Sequence, residues 1–361
     1  MLPNSRTLSF TLRLLSASLL PALVSGCTTN AATGRSQFNY YSTSEEIQIG
    51  EQAGPELTKE YGGIVPDPEL QAYVTRVGKT LASKTESDNP NLPWEFTLLN
   101  DEIVNAFALP GGKVFISRGL MEKMTNEAQL AGVLGHECGH VTAQHIDQQM
   151  GQSLAVGIGL SVLGAATSDS DRGQAVGAAA ALFGQGYLLK YGRDQESEAD
   201  TLGMRYMARA GYDPSGQLQV MQILKAVEKE SGGRNTPEWL STHPAPQTRI
   251  DRIKQLLATT FAGTQGKPDQ YGLFEERFQQ TALPRLKALP PVPKSGASAD
   301  SSNPNSLQDS KRQRRQRPAP KPAAGGPVAM GDLPTIPTPP STLADLLEHP
   351  EQWCAHCRAA Q

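Results

Sequence analysis

His136-Glu137-Cys138-Gly139-His140, HECGH in one-letter code, decides how this chain is read. It is an H-E-x-x-H pattern inside a stretch, Glu127 to Met150, that reads as one helix. A helix turns about 100° per residue, so positions four apart lie roughly 40° apart on one face. Two imidazoles so placed can grip a single Zn²⁺ ion. The glutamate between them projects beside the metal, where it can take a proton from a water the metal activates. His136 and His140 are therefore candidate ligands and Glu137 a candidate general base. Taken alone, the pattern also fits a helix whose two histidines form an ordinary polar face.

Glu196-Ser197-Glu198-Ala199-Asp200 lies in a second helix-compatible run, Gln195 to Ala210. A catalytic zinc takes three protein ligands and keeps one position open. A downstream glutamate is the usual partner of H-E-x-x-H. Glu196 and Asp200 are four apart and share a face, so one can bind metal while the other hydrogen-bonds a ligand imidazole from behind. By itself ESEAD reads as a solvated acidic helix start. Beside HECGH it reads as the rest of a site.

Two further stretches complete a pattern: STHPAPQTRI (Ser241 to Ile250) and, upstream, NAFALPGGKVFISRGLM (Asn105 to Met121). Together with HECGH and GRDQESEAD (Gly192 to Asp200), they make the chain resemble the M48 zinc metallopeptidases, and more closely their bacterial periplasmic lipoprotein branch. The similarity runs roughly from Ser42 to Leu257. It implies one Zn²⁺ per chain, held by His136, His140 and Glu196, with Glu137 as general base and Asp200 behind the ligands. It also places His243, of the T-H-P segment, near the metal, with Arg249 of the same segment nearby. His243 then either stabilises the oxyanion or occupies the metal as a removable fourth ligand. The implied fold is a zincin-like domain of the gluzincin kind.

The chain has 361 residues, enough for one sizeable core, and a net charge of −3, which gives no global reason to expect a nucleic-acid partner. Residues 1–26 read as a lipoprotein signal peptide. Arg6 and Arg13 supply positive charge, and Leu14 to Val24 is an apolar run too short to span a bilayer. Val24-Ser25-Gly26-Cys27 resembles a bacterial lipobox, which makes Cys27 the expected acylated N-terminus and membrane anchor. Thr28, in place of Asp, points in enteric-type sorting to the inner leaflet of the outer membrane, facing the periplasm. Cys138 projects away from the metal face and reads as a small buried hydrophobe. Cys354 and Cys357, in Trp353-Cys354-Ala355-His356-Cys357, suit a local disulfide or a metal and are left unassigned.

Residues 27–43 read as a tether and 44–283 as the metallopeptidase-like domain. Residues 284–341 read as a disordered Pro/Ala/basic linker, and 342–361 as a short terminal segment. Helices are expected at Ser44 to Glu60, with Ser44 as N-cap, and at Pro68 to Lys84, with Leu70, Tyr73, Val74, Val77 and Leu81 on one face. Strands are expected at Trp94 to Asn100, Asn105 to Leu109 and Lys113 to Ser117, the last two flanking the Pro110-Gly111-Gly112 turn. Further helices are expected at Pro214 to Glu230 and Pro246 to Ala258, around a loop, Thr236 to Pro244, that holds Trp239 and His243. Helix and strand alternate without a regular βαβ repeat, so the class is α+β, mainly helical with a small sheet.

Two readings stay open. Strand KVFIS, Lys113 to Ser117, is either an edge that receives a peptide as an added strand or an interior strand. The Gly/Ala-rich pieces Leu154 to Ala166 and Ala175 to Leu189 form either a packed helical hairpin or a mobile apolar flap. No tetratricopeptide-like period follows the domain. The function expected is zinc-dependent endoproteolysis of misfolded or stalled envelope proteins, outer-membrane proteins foremost. The rival is a catalytically quiet, zinc-containing chaperone or assembly factor that binds the same unfolded clients. Oligomeric state is left open.

Overall fold

A computed structural model describes residues 27–86, 92–157, 169–184, 189–230, 237–244 and 246–292. The expected signal peptide, the linker beyond residue 292 and the Cys354/Cys357 segment lie outside the described residues, as do residues 158–168 of the Gly/Ala-rich stretch.

The stretch expected to be a plain tether carries a hairpin, β1 (Cys27–Thr29) antiparallel to β2 (Ser36–Phe38). Buried Asn30 holds its loop. Its Oδ1 accepts from the backbone of Ala32 and Thr33, and its Nδ2 donates to the Thr142 carbonyl at 2.8 Å.

Helix α1 (Thr43–Glu60) begins at a capping box in which the Ser42 hydroxyl accepts from Glu45 N and the Glu45 carboxylate accepts from Ser42 N. The cap is thus Ser42 and not Ser44, because the reciprocal pair satisfies two backbone donors at once. Helix α2 (Pro68–Ala82) is capped by Asp67 and buries Leu70, Tyr73, Val74, Val77 and Leu81, the face expected of it.

Strands β3 (Glu95–Leu99), β4 (Ala106–Leu109) and β5 (Lys113–Ser117) form a sheet in the order β3-β5-β4, β5 running parallel to β3 and antiparallel to β4. KVFIS is therefore the middle strand, and its edge reading is overturned. Both of its backbone sides are used in pairing, and Phe115 stacks on Phe107 across the β4 pair at 5.0 Å. The outer strands of this sheet are β3, bridged at Leu99 by Ile64, and β4. The β4–β5 turn needs positive φ at Gly111 (76°) and Gly112 (83°), which glycine adopts without a Cβ clash.

Helix α3 (Glu127–Thr142) carries HECGH and is buried over most of its length. It does not run on to Met150. Ala143 caps it and Gln144 takes a left-handed φ of 56°, so α4 (His145–Gly157) starts in a new direction. Helix α5 (Asp169–Gly184) packs on α1 and buries Val176, Ala179, Ala180 and Phe183, so this part of the Gly/Ala-rich stretch is a packed helix.

Helix α6 (Arg193–Arg209), which carries ESEAD, lies against α3 with almost no side-chain spacing. A Cβ on Gly139 would meet Ala199 O at 2.9 Å, and one on Gly203 would meet His136 N at 2.8 Å. Helices α7 (Ser215–Glu230) and α8 (Pro246–Ala258) complete the bundle. Glu127, fully buried, ties three segments together. It accepts from Arg76 of α2 at 2.8 Å, from the Tyr212 hydroxyl at 2.8 Å and from Arg277. The final described helix, Leu283–Ala288, crosses residue 284, the expected start of the linker, and buries Leu286. No helix among the described residues is long and apolar enough to cross a membrane.

Candidate metal centre

Helix periodicity puts His136 and His140 on the same side of α3, with their Nε2 atoms 3.1 Å apart. The close α3–α6 approach then brings Glu196 to both. Its Oε2 is 3.6 Å from His136 Nε2 and its Oε1 is 3.6 Å from His140 Nε2. His243 enters from a third direction, at the end of a five-residue helix, Glu238–Thr242, in the stretch expected to be loop. One ligand atom each from His136, His140, Glu196 and His243 all lie within 4.8 Å of one another.

The donor set fits zinc. Two ligands about 2.1 Å from a tetrahedral Zn²⁺ stand roughly 3.4 Å apart, which the observed 3.1 and 3.6 Å spacings bracket. Both Glu196 carboxylate oxygens and His243 Nε2 are buried and have no hydrogen-bond partner among the described residues. Buried polar atoms left so cost free energy, and a cation at the common point satisfies all three. Arg249 Nη1 does approach Glu196 Oε2 at 2.6 Å, but at an angle that makes no hydrogen bond. That contact is Coulombic only.

The groups behind the cluster orient it. Asp200 Oδ1 is 3.0 Å from His136 Nδ1, which leaves His136 Nε2 facing inward. Arg249 grips Asp200 with Nε at 2.8 Å and Nη2 at 2.6 Å, and Gln217 Nε2 donates to Asp200 at 2.9 Å. The Arg249 guanidinium also lies over the Trp239 ring at 4.8 Å. Trp239 in turn donates its indole N–H to Glu137 Oε1 at 3.4 Å and stacks on His243, with ring centres 4.6 Å apart. Tyr191 stacks on His140 at 3.8 Å, and its backbone N–H donates to the Thr242 carbonyl. His136, Glu137, His140 and Glu196 have no solvent exposure and His243 has 1%. The cluster is thus closed, and the cover is the Trp239–His243 segment together with Tyr191.

Burial dominates the protonation of the site. It lowers His136 to about 4, and lowers His140 and His243 as well, with neighbouring imidazoles and Arg249 adding to the effect. Neutral imidazoles are what metal ligation needs. Burial raises Glu137 to about 8, with the Trp239 hydrogen bond and Arg249 opposing it, and raises Glu196 well above the usual carboxylate range. For Asp200 burial also acts upward, but the charge and hydrogen bonds of Arg249 win and the carboxyl is strongly depressed. Asp200 is thus a fixed anion, while Glu196 needs a cation to stay one.

The residues expected from the sequence to build the metal site, His136, Glu137, His140, Glu196, Asp200, His243 and Arg249, all fall in this one cluster. Cys138 is buried in the core, as expected of a small hydrophobe, and carries no disulfide. Sequence reasoning missed Tyr191, Gln217 and His145. The first two follow no pattern; His145 is five residues past His140 and is brought back only by the turn at Gln144.

The model of peptidase family M48 matches residues 68–257, more than half of the chain. The chain belongs to peptidase family M48. The match runs from α2 to α8, and HECGH and ESEAD both lie inside it. Among curated proteins, the chain is 33% identical over 227 residues to the mitochondrial metalloendopeptidase OMA1 of Schizosaccharomyces pombe, covering 62% of this chain and 65% of that one. It is 31% identical over 236 residues to the beta-barrel assembly-enhancing protease of Escherichia coli K12, covering 64% of this chain and 47% of that one. A similar protein of Yersinia pestis is 33% identical over 192 residues. The chain thus spans between about two fifths and two thirds of the length of these relatives.

Proposed function

We propose that this M48 chain is a zinc metalloendopeptidase of the bacterial cell envelope that cuts misfolded or stalled envelope proteins, outer-membrane proteins among them. The observation that carries the catalytic reading is the convergence of His136, His140 and Glu196 on one point, with the Glu137 carboxylate buried beside it. The names of the bacterial relatives support the envelope address, as do the lipobox-like Val24 to Cys27 and the expected acylation of Cys27.

His136, His140 and Glu196 would hold the zinc. When bound, the ion acidifies a water and polarises the scissile carbonyl. Glu137 takes the proton from that water and passes it to the leaving amine. Asp200 and Arg249 hold His136 in its ligating tautomer. His243 would be the fourth ligand of a resting form, since its Nε2 lies in the same cluster and a fourth protein ligand would take the open position. Substrate enters as an extended strand along the outer edge of β4. That edge leads from Val104, whose carbonyl accepts from Trp239 N at 3.3 Å, so the cover and the substrate meet at the same place.

The test is casein cleavage by the purified chain, with and without a zinc chelator, beside Glu137→Gln. Chelator-sensitive cutting by wild type that Glu137→Gln abolishes supports the enzyme. Client binding with no cutting by either wild type or His243→Ala would establish the quiet chaperone instead.

A further inference from the structure

ESEAD presents three carboxylates, and the centre described above uses two. The third, Glu198, contacts His145, which in turn touches the other histidine, His140. Glu198 Oε2 is 3.0 Å from His145 Nε2, and His145 Nδ1 is 3.0 Å from His140 Nδ1. His145 is fully buried at the first residue of α4. Two Nδ1 atoms in contact require that one carry the proton and the other accept it. His140 Nε2 faces His136 Nε2 and Glu196, so its lone pair must be free for a metal and its proton must be on Nδ1. The proton of His145 is then on Nε2, where the Glu198 carboxylate accepts it. This assignment satisfies both contacts that run from His140 through His145 to Glu198.

We propose that His145, held by Glu198, is a positioning residue for the metal centre. It accepts the Nδ1 proton of His140 and so fixes the tautomer and ring orientation in which His140 Nε2 meets the ion. His136 has a direct carboxylate partner, Asp200. His140 has a relayed one. The inference rests on the reading of His140 as a metal ligand.

The relay reaches the N-terminal hairpin. Arg35, just before β2, pairs with Glu198, and Arg205 of α6 donates to the Ala32 carbonyl at 3.3 Å. Asn30 binds the last residue of α3, and the backbone N–H groups of Tyr40 and Tyr41 both donate to Asp147 of α4 at 2.8 Å. The hairpin therefore clamps the turn that presents His145 from both sides.

The experiment is zinc competition against a chromophoric chelator, run on the full chain, with the thermal melt of each metal-free variant as a check of folding. His145→Phe keeps the ring and removes the acceptor, while His145→Asn places an amide oxygen near the lost Nδ1. His145→Phe is expected to weaken zinc binding by about 10- to 100-fold and His145→Asn by only about threefold. Wild-type affinity in His145→Phe, or equal losses in both variants, overturns the proposal. If His145→Phe melts early, Glu198→Ala carries the test, and no loss of affinity there overturns it too. His140→Ala separates the two readings. If it binds zinc like wild type, the ligand assignment itself has failed. If it loses zinc while His145→Phe does not, only the relay has.

Discussion

Gly203 of α6 lies against the His136 peptide of α3 so closely that a Cβ there would sit 2.8 Å from the His136 nitrogen and 2.9 Å from the Gly135 carbonyl carbon. The contact is backbone on backbone, so no side chain can yield to a methyl group. It also sets the spacing between Glu196 and the two histidines. Gly203→Ala is therefore expected to destabilise the domain by about 1–3 kcal/mol through overpacking. It also weakens zinc binding, because the helices part. Urea denaturation and zinc competition read the two effects, and wild-type values in both would show that α3–α6 contact does not govern the site.

Asp200→Asn should weaken zinc binding by about 10- to 100-fold, since His136 loses its anionic partner. Asp200 and Arg249 form a buried pair, so removing either charge alone, in Asp200→Asn or in Arg249→Met, leaves the other uncompensated, a loss of about 3–5 kcal/mol. Metal-free melts check this: both variants should drop sharply, and a wild-type melt in either would show that the pair does not hold the fold.

His243→Ala should raise the rate of casein cleavage, by about tenfold for every 1.4 kcal/mol by which the covered form is favoured. A variant that cuts more slowly than wild type would assign His243 to oxyanion stabilisation.

Removing metal should lower the melting temperature, because the orphaned carboxylate oxygens of Glu196 and Nε2 of His243 then stay unpartnered in the interior. With free zinc at 1,000 times its dissociation constant, the bound ion contributes about 4 kcal/mol. Differential scanning calorimetry at several zinc concentrations reads this, and a concentration-independent transition would argue against a metal at this point.

Glu127 makes a prediction about pH. Burial pushes its carboxyl upward, but hydrogen bonds led by Arg76 outweigh it, and the net shift is below the ordinary value of 4.5. The folded state therefore binds the proton less readily than the unfolded chain. The stability this supplies is present above about pH 4.5 and drains away as pH falls through the lower folded value. Denaturation of wild type between neutral pH and pH 3 should show this acid loss, and Glu127→Gln should flatten it while costing about 1–3 kcal/mol at neutral pH. Arg76 and Arg277 keep part of their solvation, which holds the cost below that of a sealed pair.

The ligand chemistry was legible in the chain because helix geometry is local. Four-residue spacing alone put His136 beside His140 and Glu196 on the same face as Asp200, and the amphipathic face of α2 was read the same way. Positions that depend on a second segment were not. Whether Lys113–Ser117 lies at an edge or in the middle depends on β3, which pairs with it from across an intervening strand and turn. The cap of α1 is Ser42 because Glu45 reaches back to it.

By itself the sequence determined which residues can bind a metal and move a proton, and on which faces of which helices they stand. Tertiary structure alone decided that the two helices come close enough for Glu196 to complete the cluster, through glycines that let backbone touch backbone. It alone also decided that Trp239 and His243 seal that cluster, and that a left-handed turn at Gln144 returns His145 to His140. The reason is physical. Periodicity along a helix follows from bonds between near neighbours, while the distance between helices is set by the volumes and shapes that meet when distant segments pack.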